Sequence, residues 1–232
     1  MSDTTVPPAW GPRWSRWVGR ALARGLWATE VRGRSHVPRS GAAIVVANHT
    51  GFIDGPVLHG VIPRPSHFLI GSHMFRGALG PILGAAGQIR VEGSGRTALA
   101  HGLGVLRRGG VVGMFPEGTR GAGTADAVHG GAAWLALQSG APIVPTALIG
   151  TRLTGEPVSV WPRPRRHILA AFGAPVTVEP PSELKGRRRQ EWAQQAVAAA
   201  LRSQVEAALA DTDLRLPGDD GGRDTASIEE NA

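Results

Sequence analysis

The 232-residue chain contains no cysteine and no tyrosine. The first absence excludes a disulfide framework, a thiolate zinc site and a cysteine nucleophile, and the second excludes chemistry by a phenol. A cysteine-free chain is neutral as to redox compartment. None of its eight histidines sits in an H-E-x-x-H pattern, so no metal site is expected. There is no G-x-S-x-G nucleophile elbow. Gly102-Leu103-Gly104 and Gly121-Ala122-Gly123 both lack the third glycine of a nucleotide-binding loop, and no cofactor is expected.

Long hydrophobic runs are also missing. A spanning helix needs roughly 20 apolar residues. The best stretch, Ala127 to Thr151, is free of formal charge but is interrupted by Gly140, Pro142 and Pro145. It reads as a helix over about 129–138 and a buried strand over about 142–149. The N-terminus has no uninterrupted apolar segment of the kind a secretory signal carries.

What is present is 42% apolar residues, enough for one domain with a sizeable core. Charge is unevenly placed. Residues 211–232 carry seven acids against two arginines, while residues 1–210 carry 23 basic against 11 acidic residues. The acidic tail, 211–232, is Gly- and Asp-rich without periodicity and is expected to be disordered. A body so basic favours anionic partners: phospholipid, nucleic acid or a polyanionic substrate.

Residues 1–29 form a region of their own pattern. Trp10, Trp14, Trp17, Val18, Ala21 and Leu22 recur at helical spacing, beside a stripe of Arg13, Arg16, Arg20 and Arg24. No acid lies between Asp3 and Glu30. An amphipathic helix at an anionic membrane surface fits this pattern, with indoles at headgroup depth. The same periodicity fits a helix packed on its own domain with an arginine-rich solvent face.

From residue 30 to 210, short apolar runs alternate with helical patterns. Strands are expected at 41–47, 67–70, 89–91, 111–115, 142–149 and 168–172, with a further candidate at 176–178. Helices are expected through Leu58 and at 75–86, 97–107, 129–138 and 188–209. The alternation predicts an α/β fold: a central mixed, largely parallel sheet flanked by helices, with the N-terminal amphipathic helix added.

Two blocks stand at the ends of apolar runs, where loops commonly carry active-site groups. The first is Asn48-His49-Thr50-Gly51-Phe52-Ile53-Asp54. On an ideal helix His49 and Asp54 would stand about 140° apart, so they meet only if the chain turns, which Gly51 permits. A carboxylate on an imidazole fixes its tautomer and steadies the imidazolium. With no protein nucleophile, the proton to be removed can come from a substrate hydroxyl. The second block is Phe115-Pro116-Glu117-Gly118-Thr119-Arg120, whose arginine can hold a phosphate bidentately.

Together, in this order, these blocks resemble those of the glycerolipid (lysophosphatidic acid) acyltransferase family. The first resembles its N-H-x-x-x-x-D block and the second matches its F-P-E-G-T-R block; Gly131–Ala136 and Ala141–Pro145 are similar to its following helix and strand. The resemblance covers about residues 30–180. It implies His49 as general base on an acceptor hydroxyl and Asp54 as its orienting partner. It also implies a substrate-binding group of Asn48, Glu117, Gly118, Thr119, Arg120 and Arg96. The implied donor is a thioester, acyl-CoA or acyl-carrier protein, and the acceptor a lysophospholipid at the inner face of the cell membrane. One block departs from the family: Gly93 stands where an arginine is usual in Gly87–Arg96, with Arg96 three residues on as the nearest substitute. A different lyso-lipid or a non-phosphate acceptor therefore stays open. The clusters Arg163–Arg166 and Arg187–Arg189 come with no nucleic-acid-binding motif, and lipid or CoA phosphates account for them equally well, so nucleic acid is not an expected partner.

Overall fold

The computed structural model describes residues 6–117, 122–124 and 129–218. Its centre is a seven-stranded sheet in the order β1-β7-β6-β2-β5-β3-β4. The strands are β1 (Ala28–Arg32), β2 (Ala43–Ala47), β3 (Ser66–Gly71), β4 (Ile89–Val91), β5 (Val111–Met114), β6 (Ile143–Ile149) and β7 (His167–Phe172). All neighbours pair in parallel except β6 with β7. The sheet is thus mixed and largely parallel, as the alternating pattern predicts.

Central strands read as continuous apolar runs because both faces are covered. All five residues of β2 and all seven of β6 are buried. Side chains alternate between two cores. Ile44 and Val46 point into a cluster with Val105, Leu135, Val197 and Leu201. That face carries α4 (Arg96–Arg107), α5 (Gly131–Ser139) and α6 (Gly186–Ala210). Val45 and Ala47 point into the opposite cluster with Trp27, Val57, Leu58 and Phe68, covered by α2 (Asp54–Val61) and α1 (Gly11–Ala21). A short α3 (Leu79–Ala85) precedes β4.

Four differences from the sequence reading have physical causes. β1 is an additional edge strand, paired with β7 through Ala28–Arg32 against His167–Ala171. Its mixed burial, with polar Thr29, Glu30 and Arg32, hides it from an apolar-run criterion. The segment at 75–86 is helical only from Leu79, after a 3-10 turn over Ser72–Phe75. Val176 makes one isolated bridge to Ile143 rather than a strand. Residues 211–218 of the expected tail dock on the domain: Leu214 and Leu216 pack against the α4–α6 core, and Gly218 N–H donates to Thr154 Oγ1 at 3.1 Å. Residues 219–232 lie outside the described residues.

Region 1–29 is not separate from the domain. α1 lies against α2 through buried Ser15 and Gly19, while buried Gly11 and Pro12 pack on residues 85–87. A Cβ on Gly60 would collide with the backbone of Gly19, so the two helices approach as closely as glycine allows. The tryptophan stripe faces outward: Trp10 is 57% exposed and Trp17 59%. The helix thus packs one face on its own domain, as the second alternative has it, and leaves its tryptophan face exposed. Among the described residues, no helix is long and apolar enough to cross a membrane.

Candidate active site

Because β2, β5 and β6 run parallel, their C-terminal ends stand together. Both sequence blocks begin there. β2 ends at Ala47 and leads into residues 48–53; β5 ends at Met114 and leads into Phe115–Glu117.

The first block folds as a turn that closes on its own carboxylate. Asp54 is the first residue of α2, fully buried at the helix N-terminus, where a negative charge is favoured. Its Oδ2 accepts from the backbone N–H of Thr50 at 2.7 Å and of Gly51 at 2.9 Å. The same oxygen lies 2.8 Å from His49 Nδ1. A carboxylate can only accept, so Nδ1 carries the proton and Nε2 is left with its lone pair. The turn forms without a positive φ at Gly51; that residue serves through its N–H instead. The imidazole stacks flat on Phe115, with ring centroids 4.2 Å apart and planes 15° from parallel. The His49 side chain is 15% exposed, so one edge reaches solvent.

Asn48 fastens this turn to the sheet. Its Nδ2 donates to Leu148 O at 3.0 Å and its Oδ1 accepts from Leu148 N–H at 2.7 Å. The side chain thereby extends the β2–β6 ladder by one rung. Fully buried and committed at both ends, Asn48 is a positioning residue. Glu117 likewise turns inward, its Oε1 accepting from His49 N–H at 3.3 Å. The expected residues Gly118, Thr119 and Arg120 lie outside the described residues.

Arg96 is not brought to this turn. It begins α4 beyond β4, an exposed residue at the sheet's far edge. β4 stands three strands from β2, roughly 14 Å across the sheet. Gly93 has φ 49° and Gly95 φ 71°, left-handed backbone that favours glycine. The departure from the family block is therefore a differently built loop, in which Arg90 pairs with Glu92 at 2.8 Å.

Several neighbours had no clear sequence signal. Thr50 Oγ1 and Thr151 Oγ1 share a hydrogen bond of 2.9 Å behind the turn. Phe52 N–H donates to Val158 O at 2.9 Å. Arg152, 2% exposed, donates to Glu156 O at 3.2 Å. Glu156 receives both terminal nitrogens of Arg166, at 2.6 and 3.1 Å, and this pairing holds its carboxyl below the usual range.

A family model described as "Acyltransferase" matches residues 28–149, more than half of the chain. The chain belongs to the acyltransferase family. Both blocks fall inside the matched segment. An uncharacterized protein of Mycobacterium bovis is 33% identical over 147 residues, covering 57% of this chain and 40% of that protein. An uncharacterized protein of Mycobacterium tuberculosis matches with the same figures. The chain thus spans 40% of the length of these mycobacterial relatives. A 1-acyl-sn-glycerol-3-phosphate acyltransferase of Bacillus subtilis is 28% identical over 127 residues, covering 52% of this chain and 62% of that protein. In fold, the chain is similar to the crystal structure of the 1-acyl-sn-glycerophosphate (LPA) acyltransferase PlsC from Thermotoga maritima. The TM-score is 0.64 at 20% identity, over 86% of this chain and 80% of that one.

Proposed function

We propose that the chain transfers a fatty acyl group from a thioester, acyl-CoA or acyl-carrier protein, to the free hydroxyl of a lysophospholipid. The acceptor is 1-acylglycerol-3-phosphate and the product phosphatidate, a step of phospholipid biosynthesis. The observation that carries this reading is the 2.8 Å contact of His49 Nδ1 with Asp54 Oδ2, inside a segment that matches the acyltransferase family. The name of the Bacillus subtilis relative supports the choice of acceptor.

The chemistry follows from the tautomer. Nε2 of His49 takes the proton of the acceptor hydroxyl as its oxygen attacks the thioester carbonyl. The imidazolium is held by Asp54, which keeps its own place through the N–H groups of Thr50 and Gly51. When the tetrahedral intermediate collapses, the carbon–sulfur bond breaks and the imidazolium returns the proton to the departing thiolate. An ester and a free thiol result. No covalent enzyme intermediate is needed, in keeping with a chain that lacks cysteine. The outward indoles of α1 and the basic body suit work at an anionic membrane surface.

A second reading keeps the mechanism and changes the acceptor. It is favoured by Gly93 at φ 49° and by Arg96 standing at the sheet's far edge. The test is thiol release from acyl-CoA and from acyl-carrier protein, with lysophosphatidate and other lyso-lipids presented in anionic vesicles. Release that requires lysophosphatidate and is absent from His49→Ala is expected. Histidine-dependent release only with another acceptor moves the substrate. No histidine-dependent release with either donor overturns the enzymatic reading.

A further inference from the structure

We propose that the loop Trp161–Arg165 is a second contact with anionic phospholipid headgroups, acting beside α1. The inference rests on the membrane-surface reading of that helix.

The loop joins β6 to β7. Because those strands are antiparallel, it stands at the same end of the sheet as the C-termini of β2 and β5, where His49 lies. It is also fastened to the chain that leaves α1. Arg165 N–H donates to Leu26 O at 2.7 Å, and Ala28 N–H donates to Arg166 O at 3.0 Å. Trp27 Nε1 donates to Pro162 O at 3.1 Å. The buried Trp27 ring supports Trp161 with centroids 5.2 Å apart. Trp27 belongs to the core beneath α1 and α2, so the loop lies on the α1 side of the sheet. Arg24, exposed, is two residues from Leu26.

What the loop presents is an indole and two cations. Trp161 is 53% exposed although it is large and apolar. Arg163 and Arg165 are exposed. Two carboxylates on the neighbouring segments are already engaged: Glu156 with Arg166 and Glu30 with Arg32, both at 2.6 Å. Arg165 has φ 62°, the one non-glycine residue with positive φ among the described residues. Glycine would sit there with less strain, yet the position carries a side chain, and a charged one. Pro162 and Pro164 stiffen the segment. An exposed indole flanked by arginines that make no ion pair among the described residues matches the headgroup layer, where indoles partition and each surface cation adds attraction to anionic lipid.

The test is sedimentation of the full chain with vesicles of phosphatidylglycerol and phosphatidylcholine, and with phosphatidylcholine alone. The double variant Arg163→Gln/Arg165→Gly removes both charges, and the glycine suits the backbone at 165. Partitioning to the mixed vesicles should fall about 30-fold and become less salt-dependent, with little change on phosphatidylcholine. Trp161→Ser should weaken binding to both vesicle types, and an unchanged melting temperature checks the fold of each variant. Trp10→Ser/Trp17→Ser separates the two readings. If this variant loses binding while the loop variants keep it, the loop proposal falls and the α1 reading stands. If the wild type does not sediment with either vesicle, both fall. Loss of duplex DNA binding by the double variant, with vesicle binding intact, would also overturn the proposal.

Discussion

His49 and His59 are ten residues apart on one stretch of chain, and they occupy opposite kinds of site. His49 sits in a turn at the mouth of the sheet, with a carboxylate on Nδ1 and an edge open to solvent. His59 sits on α2 facing α1, with Ser15 Oγ 2.9 Å from Nε2 and Ser66 Oγ 3.1 Å from Nδ1. Two hydroxyls can satisfy a neutral ring, one as donor and one as acceptor, whereas an imidazolium would have to donate to both. Burial, with the charge of Arg16 nearby, pushes the His59 pKa down to about 4. One histidine has a carboxylate partner and an edge open to solvent; the other is enclosed between hydroxyls and kept neutral at neutral pH. Partner and depth make the difference between a chemical group and a structural link between helices.

The sharpest way to break this comparison is at the carboxylate pair. His49→Ala should lower acyl transfer by about 10³-fold, with the melting temperature little changed, because Asp54 keeps its two backbone donors. Retention of more than a tenth of the activity would remove His49 from the mechanism. Asp54→Asn should cost nearly as much, since an amide no longer stabilises the imidazolium and can turn an N–H toward Nδ1. Steady-state rates for both variants, with near-ultraviolet dichroism as a check on folding, decide this.

The buried histidine should register in stability. Its folded pKa of about 4 lies below the ordinary value of 6.5, so between those values the unfolded chain binds the extra proton. Stability from this group is therefore full above pH 6.5 and is lost as pH falls toward 4, by up to roughly 3 kcal/mol. His67 is also pushed down by burial and adds in the same direction. Denaturant midpoints at pH 7 and pH 4.5 should show the loss, and His59→Gln should flatten it. An unchanged slope in that variant would place the acid sensitivity elsewhere. At the next residue of α2, Gly60→Ala should cost about 1–3 kcal/mol by forcing α1 off α2, measurable in the same denaturation experiment at neutral pH.

Nothing in the letters distinguished the two histidines until motif spacing was added. The mixed sheet and the position of both blocks were legible because central strands buried on two faces are predominantly apolar, as β2, β5 and β6 are. β1 was illegible for the converse reason: an edge strand tolerates Glu30 and Arg32. The tryptophan stripe of α1 was legible as a stripe, but its opposite face was not. Close helix packing here uses Gly19, Gly60 and Ser15, small residues that a search for apolar periodicity passes over. Motif membership says nothing of direction. Asn48 points into the ladder, and Arg96 starts a helix three strands away.

The smallest predicted effect concerns what lies between the two histidines. Phe115 stacks on His49, Phe68 lies 6.0 Å from Phe115, and His59 meets Phe68 edge-on at 5.9 Å. The aromatic column links the His49 ring to the buried His59 ring. Phe115→Leu keeps apolar volume but loses the flat face that fixes the imidazole plane. A stack of this kind contributes about 0.5–1.5 kcal/mol, so kcat should fall by a few-fold to about tenfold while KM stays within a factor of two. Phe115→Trp restores a flat face and should recover most of the rate. The pH dependence of unfolding should not move in either variant, because His59 keeps both serines. A shift there would mean that the column couples the two sites, and that the contrast between them is less complete than their hydrogen bonds indicate.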